Sequence, residues 1–264
     1  MASQILNFNE LVETYSGKVF NLAFRITGNR QDAEDVVQET FLQVLNGLPS
    51  FRGECHPYTW IYRIAVNAGL KVKRGLDRAY LDSLDERIEA FGDEIPAEVQ
   101  EWYDEPERAV YIQALLGEVN QGCLHFMAFR LTDEQRVPYI MRMVLDFTYQ
   151  EIAEVLQVSE TVVKARLHRA HAKLEKFFRA RCQWLNPENA SCSCKSRVPF
   201  ALAFDPELLK RVRMKARKTE SDPAYIQFVS QQVDEIGELY SKLPRLAFKA
   251  ETLKSYLAEL QKKN

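Results

Sequence analysis

The sequence predicts an all-α protein built from small helical domains, on three observations. Apolar residues recur three and four positions apart along nearly the whole chain, which is the period of a helix face. Glycine and proline number only 10 each among 264 residues, and strand-like alternation is scarce. With 46 % apolar residues the chain can bury more than one core, and its length favours two or three domains.

Residues 1–76 read as the first domain. A helix from Phe8 carries Leu11, Tyr15, Val19, Leu22, Ala23 and Ile26 on one stripe and ends at a Gly28-Asn29 turn. A second begins near Asp32, whose carboxylate suits the free amides of a first turn, and runs through Val36, Val37, Phe41, Val44 and Leu45 to Pro49. A third, from about Tyr58, points Trp60, Ile61, Ile64 and Ala65 inward. It sends Arg63, Asn67, Lys71, Lys73 and Arg74 outward. Residues 77–108 are strongly acidic, are broken by Pro96 and Pro106, and read as a mobile linker.

Residues 109–181 return to helical periodicity and contain a helix-turn-helix pattern: Tyr149 to Leu156, a turn at Gln157-Val158, and a helix opening at the N-cap Ser159. Ile152, Ala153, Leu156, Val158, Val163 and Leu167 supply the apolar wedge between the two helices. The second helix bears Lys164, Arg166, Arg169, Lys173, Lys176, Arg179 and Arg181 against only Glu160 and Glu175. Such a helix can enter the major groove and neutralise phosphates, whereas the bland alternative is a solvated face in an ordinary bundle. Residues 182–264 form a cysteine-bearing extension, helical from Asp205 onward with breaks near Pro223 and Pro244.

Several classes are disfavoured. No apolar run approaches the roughly 20 residues of a membrane span, and the first ten residues lack the pattern of a secretion signal, so the expected location is the cytoplasm. There is no glycine-rich phosphate loop, nucleophile motif or HExxH pair, so no enzyme is expected. The formal net charge of −2 argues against a protein that simply coats nucleic acid.

Two stretches carry a resemblance. Asp32-Ala33-Glu34-Asp35-Val36-Val37-Gln38-Glu39-Thr40-Phe41, then Leu48 to Gly53 and Trp60 to Asn67, resembles the second conserved region of extracytoplasmic-function sigma factors of bacterial RNA polymerase. Tyr149 to Leu156 with Val163 to Ala170 resembles their fourth region. The resemblance implies a monomeric subunit that binds core RNA polymerase and promoter DNA. It implies that Asp35, Gln38, Glu39 and Phe41 dock on the polymerase. Arg52, Gly53, Trp60, Arg63, Asn67, Lys71 and Arg74 would then line the displaced non-template strand at the minus-ten element. Trp60 also has the spacing of a core aromatic. Lys164, Arg166, His168 and Arg169 would read the minus-thirty-five element, with Lys173 on phosphate. Val162 and Ala165 depart from the family, where threonine and serine are usual, so promoter preference does not transfer.

Of five cysteines, Cys182, Cys192 and Cys194 crowd together, as in the tail of a subset of these factors. Three thiolates within reach of one ion can hold zinc, with Cys123, His125, His168 or His171 as fourth ligand. A redox or metal-sensing switch and uncoordinated thiols are the alternatives. The extension suggests a built-in regulator of access to polymerase or DNA, or a docking or stabilising tail. A freestanding helix-turn-helix regulator or a metal-responsive transcription factor is the competing function, and the freestanding regulator has no use for the Asp32–Phe41 stretch.

Overall fold

A computed structural model describes residues 7–72, 95–105, 108–219, 235–243 and 245–261. Arg74, much of the acidic stretch, Pro106, Pro223 and Pro244 lie outside them. The described residues contain helices and no strand, with one isolated bridge between Cys182 and Cys192.

Two compact units form, and they do not follow the expected boundaries. Met1–Gly75, Leu131–Ala170 and Pro244–Asn264 make the first; Leu76–Arg130 and His171–Leu243 make the second. The segment read as one domain, 109–181, is therefore divided between them, as is the extension.

In the first unit, α1 (Phe8–Thr27), α2 (Arg30–Gly47) and α3 (Pro57–Val72) pack on one another. Asn7 caps α1 by accepting from the Asn9 amide at 2.9 Å, and Gly28 ends it in the left-handed region at φ 92°. Asn29, not Asp32, caps α2: its Oδ1 accepts from the Asp32 amide at 2.8 Å, while its Nδ2 donates to the Asp32 carboxylate at 2.8 Å. Asp32 thus sits inside the first turn, where negative charge also suits the helix dipole.

The core joins Val12, Val19, Phe20, Leu22 and Ile26 to Val36, Val37, Phe41, Val44, Ile61 and Tyr62. More of α1 is buried than one stripe, because α6 (Asp133–Met143) and α12 (Ala250–Gln261) also pack on it. Arg136 of α6, only 1 % exposed, donates to the Ile26 carbonyl at 3.1 Å and to Asp133 at 2.8 Å. A cation there meets the carbonyl end of α1.

In the second unit, α5 (Ala109–Ala128) is the hub. The stretch between the two prolines, expected as linker, contains the helix α4 (Ala97–Asp104), which packs on α5. Val99 and Trp102 are buried, with Trp102 meeting Tyr111 at a 5.3 Å centroid distance. These two apolar residues three apart outweigh the surrounding acids. On α5 also pack α9 (Val198–Phe204) and α10 (Leu208–Thr219), while Tyr240 of α11 (Ile236–Ser241) donates to the Leu124 carbonyl at 2.8 Å.

Candidate nucleic-acid interface

The helix-turn-helix is set by its caps. α7 (Tyr149–Leu156) starts with a capping box: Thr148 accepts from the Glu151 amide at 3.2 Å, and Glu151 accepts from the Thr148 amide at 2.7 Å. Gln157 then takes the left-handed conformation at φ 55° and turns the chain. α8 (Glu160–Arg179) opens where Ser159 Oγ accepts from the Val162 amide at 3.3 Å. Ile152, Ala153, Val155, Val163 and Leu167 fill the wedge; Val155 is buried where the spacing had favoured Leu156, which is half-buried.

The outer face of α8 presents Lys164, His168, Arg169 and Lys173, all exposed, with Val162 and Ala165 beside them. Lys164 lies over the Tyr149 ring at 5.3 Å and 3.6 Å from Glu160. Arg166 is half-buried and 3.6 Å from Glu134. Such pairs at an exposed surface are weak and exchange readily for phosphate.

α2 carries Asp35 and Glu39 exposed and Gln38 half-buried on a polar face. Phe41 does not belong with them. It is fully buried, edge-on to Phe8 at 6.5 Å, because it shares the inward face of Val37 and Val44.

Along α3 and the turn before it, Arg52, Gly53, Asn67 and Lys71 are exposed. Gly53 has φ 72°, a conformation that favours glycine. Trp60 is half-buried and stacked on Phe51 at 4.8 Å; its ring lies so near Gly47 that a Cβ there would come within 2.8 Å. Ile64 is half-buried, and Tyr62, which sequence reasoning missed, is buried edge-on to Phe147 at 4.8 Å. Burial raises the Tyr62 hydroxyl pKa. Arg63 is engaged within the unit: its guanidinium donates to the Glu154 carbonyl of α7 at 2.9 Å, and Thr59 donates to the Glu154 carboxylate at 3.3 Å.

The C-terminal segment meets the same unit. Asn21 of α1 donates to the Leu246 carbonyl at 2.9 Å and accepts from the Leu246 amide at 2.7 Å, and Phe248 stacks on Phe20 at 5.1 Å. From there α12 packs on α1 and α2, with Lys254 paired to Glu13.

In the second unit one small pocket is lined by Cys123, Cys182, Cys192 and Cys194 together, and no histidine lines it. Burial pushes the Cys123 and Cys182 thiols up and Cys194 to about 12. Among the described residues no three possible ligands already stand closely enough to hold an ion.

Comparison with known proteins assigns these folds. Sigma-70 region 2 matches residues 11–79, and sigma-70 region 4 matches residues 122–174. The RNA polymerase sigma-H factor of Pseudomonas aeruginosa is 31 % identical over 172 residues, 64 % of this chain and 84 % of that protein. The ECF RNA polymerase sigma-E factor of Haemophilus influenzae is 31 % identical over 172 residues, 64 % of this chain and 85 % of its own length. The chain belongs to the extracytoplasmic-function sigma factors. A further relative, the sigma factor YlaC of Bacillus subtilis, is 32 % identical over 170 residues and 91 % covered. In this sigma factor α1 to α3 fall in region 2, and the helix-turn-helix falls in region 4. The clustered cysteines and everything after them lie beyond both matched regions. No helix among the described residues is long and apolar enough to cross a membrane.

Proposed function

We propose that this chain is a non-enzymatic promoter-reading subunit that seats on core RNA polymerase in the cytoplasm and directs initiation at a two-element start signal. The observation that carries it is a capped helix-turn-helix with an exposed cationic face in the same chain as a region 2 bundle. Lys164, His168 and Arg169 contact base edges and Lys173 a phosphate in the minus-thirty-five groove; Arg166 joins them on leaving Glu134. Asp35, Gln38 and Glu39 face the polymerase, and Phe41 supports them from inside α2. Arg52, Gly53, Asn67 and Lys71 follow the displaced strand, with Trp60 on Phe51 as a stacking platform and Arg74 as a further cation.

In the free chain α7 rests on α3 through Arg63, Thr59 and Glu154, so strand binding requires that contact to open. The C-terminal arm adds a second restraint, because α12 packs on α2, the helix bearing Asp35, Gln38 and Glu39. The arm acts as a built-in brake on polymerase binding. This favours a regulated sigma subunit over a freestanding DNA-binding regulator.

Fluorescence anisotropy of labelled chain titrated with core polymerase tests the reading. Saturable binding, weakened at least tenfold by Asp35→Lys with Glu39→Lys, is expected. Equal binding by the double variant removes the polymerase face, and no binding even with the arm deleted removes the function.

A further inference from the structure

We infer that the four cysteines of the second unit form a structural zinc site that fastens the loop after α8 to α5. Three of the four, Cys182, Cys192 and Cys194, lie beyond the matched regions, while Cys123 falls at the start of the region 4 match. Two distant segments converge: Cys123 from α5, and Cys182, Cys192 and Cys194 from the loop, all lining one pocket and none in a disulfide. The loop is shaped to present them. The Cys192 amide donates to the Arg181 carbonyl at 2.9 Å and the Gln183 amide to the Cys192 carbonyl at 3.1 Å, which holds the two ends of the loop side by side. The Cys182 amide donates to the Phe178 carbonyl at 2.7 Å, so the loop leaves directly from the last turn of α8.

The donors around the sulfurs point the same way. Trp184 Nε1 donates to Cys194 Sγ at 3.2 Å, Asn120 Nδ2 approaches the same sulfur at 3.9 Å, and Arg197 Nε donates to Cys192 Sγ at 3.1 Å. Neutral thiols accept hydrogen bonds weakly, whereas metal-bound thiolates are ordinarily held by such outer N–H groups. Four thiolates on a divalent cation leave a net negative charge, which the Arg197 guanidinium partly offsets. A soft, all-sulfur, four-ligand set suits tetrahedral zinc over the hard cations that prefer oxygen. The thiols line one pocket but do not stand as a closed ligand group, so binding requires them to rearrange around the ion.

The test uses the full chain purified in reducing buffer without chelator. Metal content is measured by atomic emission, and thiol reactivity is followed with a chromogenic disulfide reagent before and after a strong chelator. One zinc per chain is expected, with Cys55 reactive from the start and the other four thiols released only by the chelator. Exchange for cobalt should give the intense visible bands of a tetrahedral thiolate site. Because Cys123→Ser can fail to fold, Cys123→His is the companion variant: it should keep the metal and shift the cobalt bands, while Cys55→Ser changes nothing. Absence of zinc together with no cobalt uptake overturns the site. So does metal whose removal exposes fewer than three thiols, or a Cys182–Cys192 disulfide in the reduced preparation.

Discussion

Arg136 and the basic residues of α8 show how environment decides what one kind of side chain does. Arg136 is buried and spends its donors on the Ile26 carbonyl and Asp133, while Arg169 stands in solvent. Replacing Arg136 by leucine leaves a buried carbonyl unpaired and removes a charge-assisted bond, a loss of about 2–3 kcal/mol. Urea denaturation should show a midpoint well below that of the parent chain; an unchanged midpoint would mean that Arg136 is dispensable. Arg169→Ala should weaken promoter binding by about 1–3 kcal/mol and relax selectivity at one position of the upstream element, whereas Lys173→Ala should weaken all sequences alike and flatten the salt dependence. Competition binding against single-base variants of the site distinguishes the two. The residue types of α8 were legible in the sequence because its two faces differ sharply in polarity. Phe41 and Tyr62 were not: an aromatic inside a largely polar motif can face a partner or the core, and only the packing of α1 against α2 and of Phe147 against α3 decides.

At the scale of elements, the restraints between helices carry the testable content. The reciprocal pair between Asn21 and Leu246 is a part-buried polar fastening of the C-terminal arm, and Asn21→Ala removes about 1–2 kcal/mol from its docking. Affinity for core polymerase should rise by roughly 5- to 30-fold in that variant if the arm is a brake. Unchanged affinity would make the arm a stabilising tail. In the second unit the Asp205 carboxylate takes two bonds from Arg211, at 2.5 and 3.2 Å, which lowers its pKa. A depressed carboxylate pKa adds stability that is present above the ordinary carboxylate range and lost as pH falls through the folded value. Asp205→Asn should therefore narrow its stability gap to the parent chain at acid pH, read from thermal unfolding at several pH values; a gap constant with pH contradicts the assignment. The helix ends at Gly28 and Ser159 were legible because turn glycines and N-cap serines are local signals, whereas the Thr148 capping box and the Asn29 cap emerged only from the structure. The helix α4 was not, since Val99 and Trp102 are outnumbered by acids, and the arm was not, because its partner is more than two hundred residues away.

For the whole molecule, the helical class and the two matched regions could be read from the chain, whereas the way its segments divide into units could not. Sequence order suggested one domain per motif, yet residues 131–170 join the first unit and 109–130 the second. That division follows from tertiary burial: α6 gives Arg136 to α1, α7 gives Glu154 to α3, and α5 gathers α4, α9 and α10. Three of the four pocket cysteines crowd together in the sequence, but Cys123 was one of four candidates for the remaining place, and nothing in the spacing placed Trp184, Asn120 and Arg197 around them. On the proposed function, this polypeptide tells polymerase where to begin. Sequencing the RNA ends made on bare genomic DNA by core polymerase with and without the chain tests it most directly. With the chain, a new set of start sites should share two sequence blocks at fixed spacing, and the set should vanish with Asp35→Lys and Glu39→Lys. Start sites identical to those of core polymerase alone would contradict it.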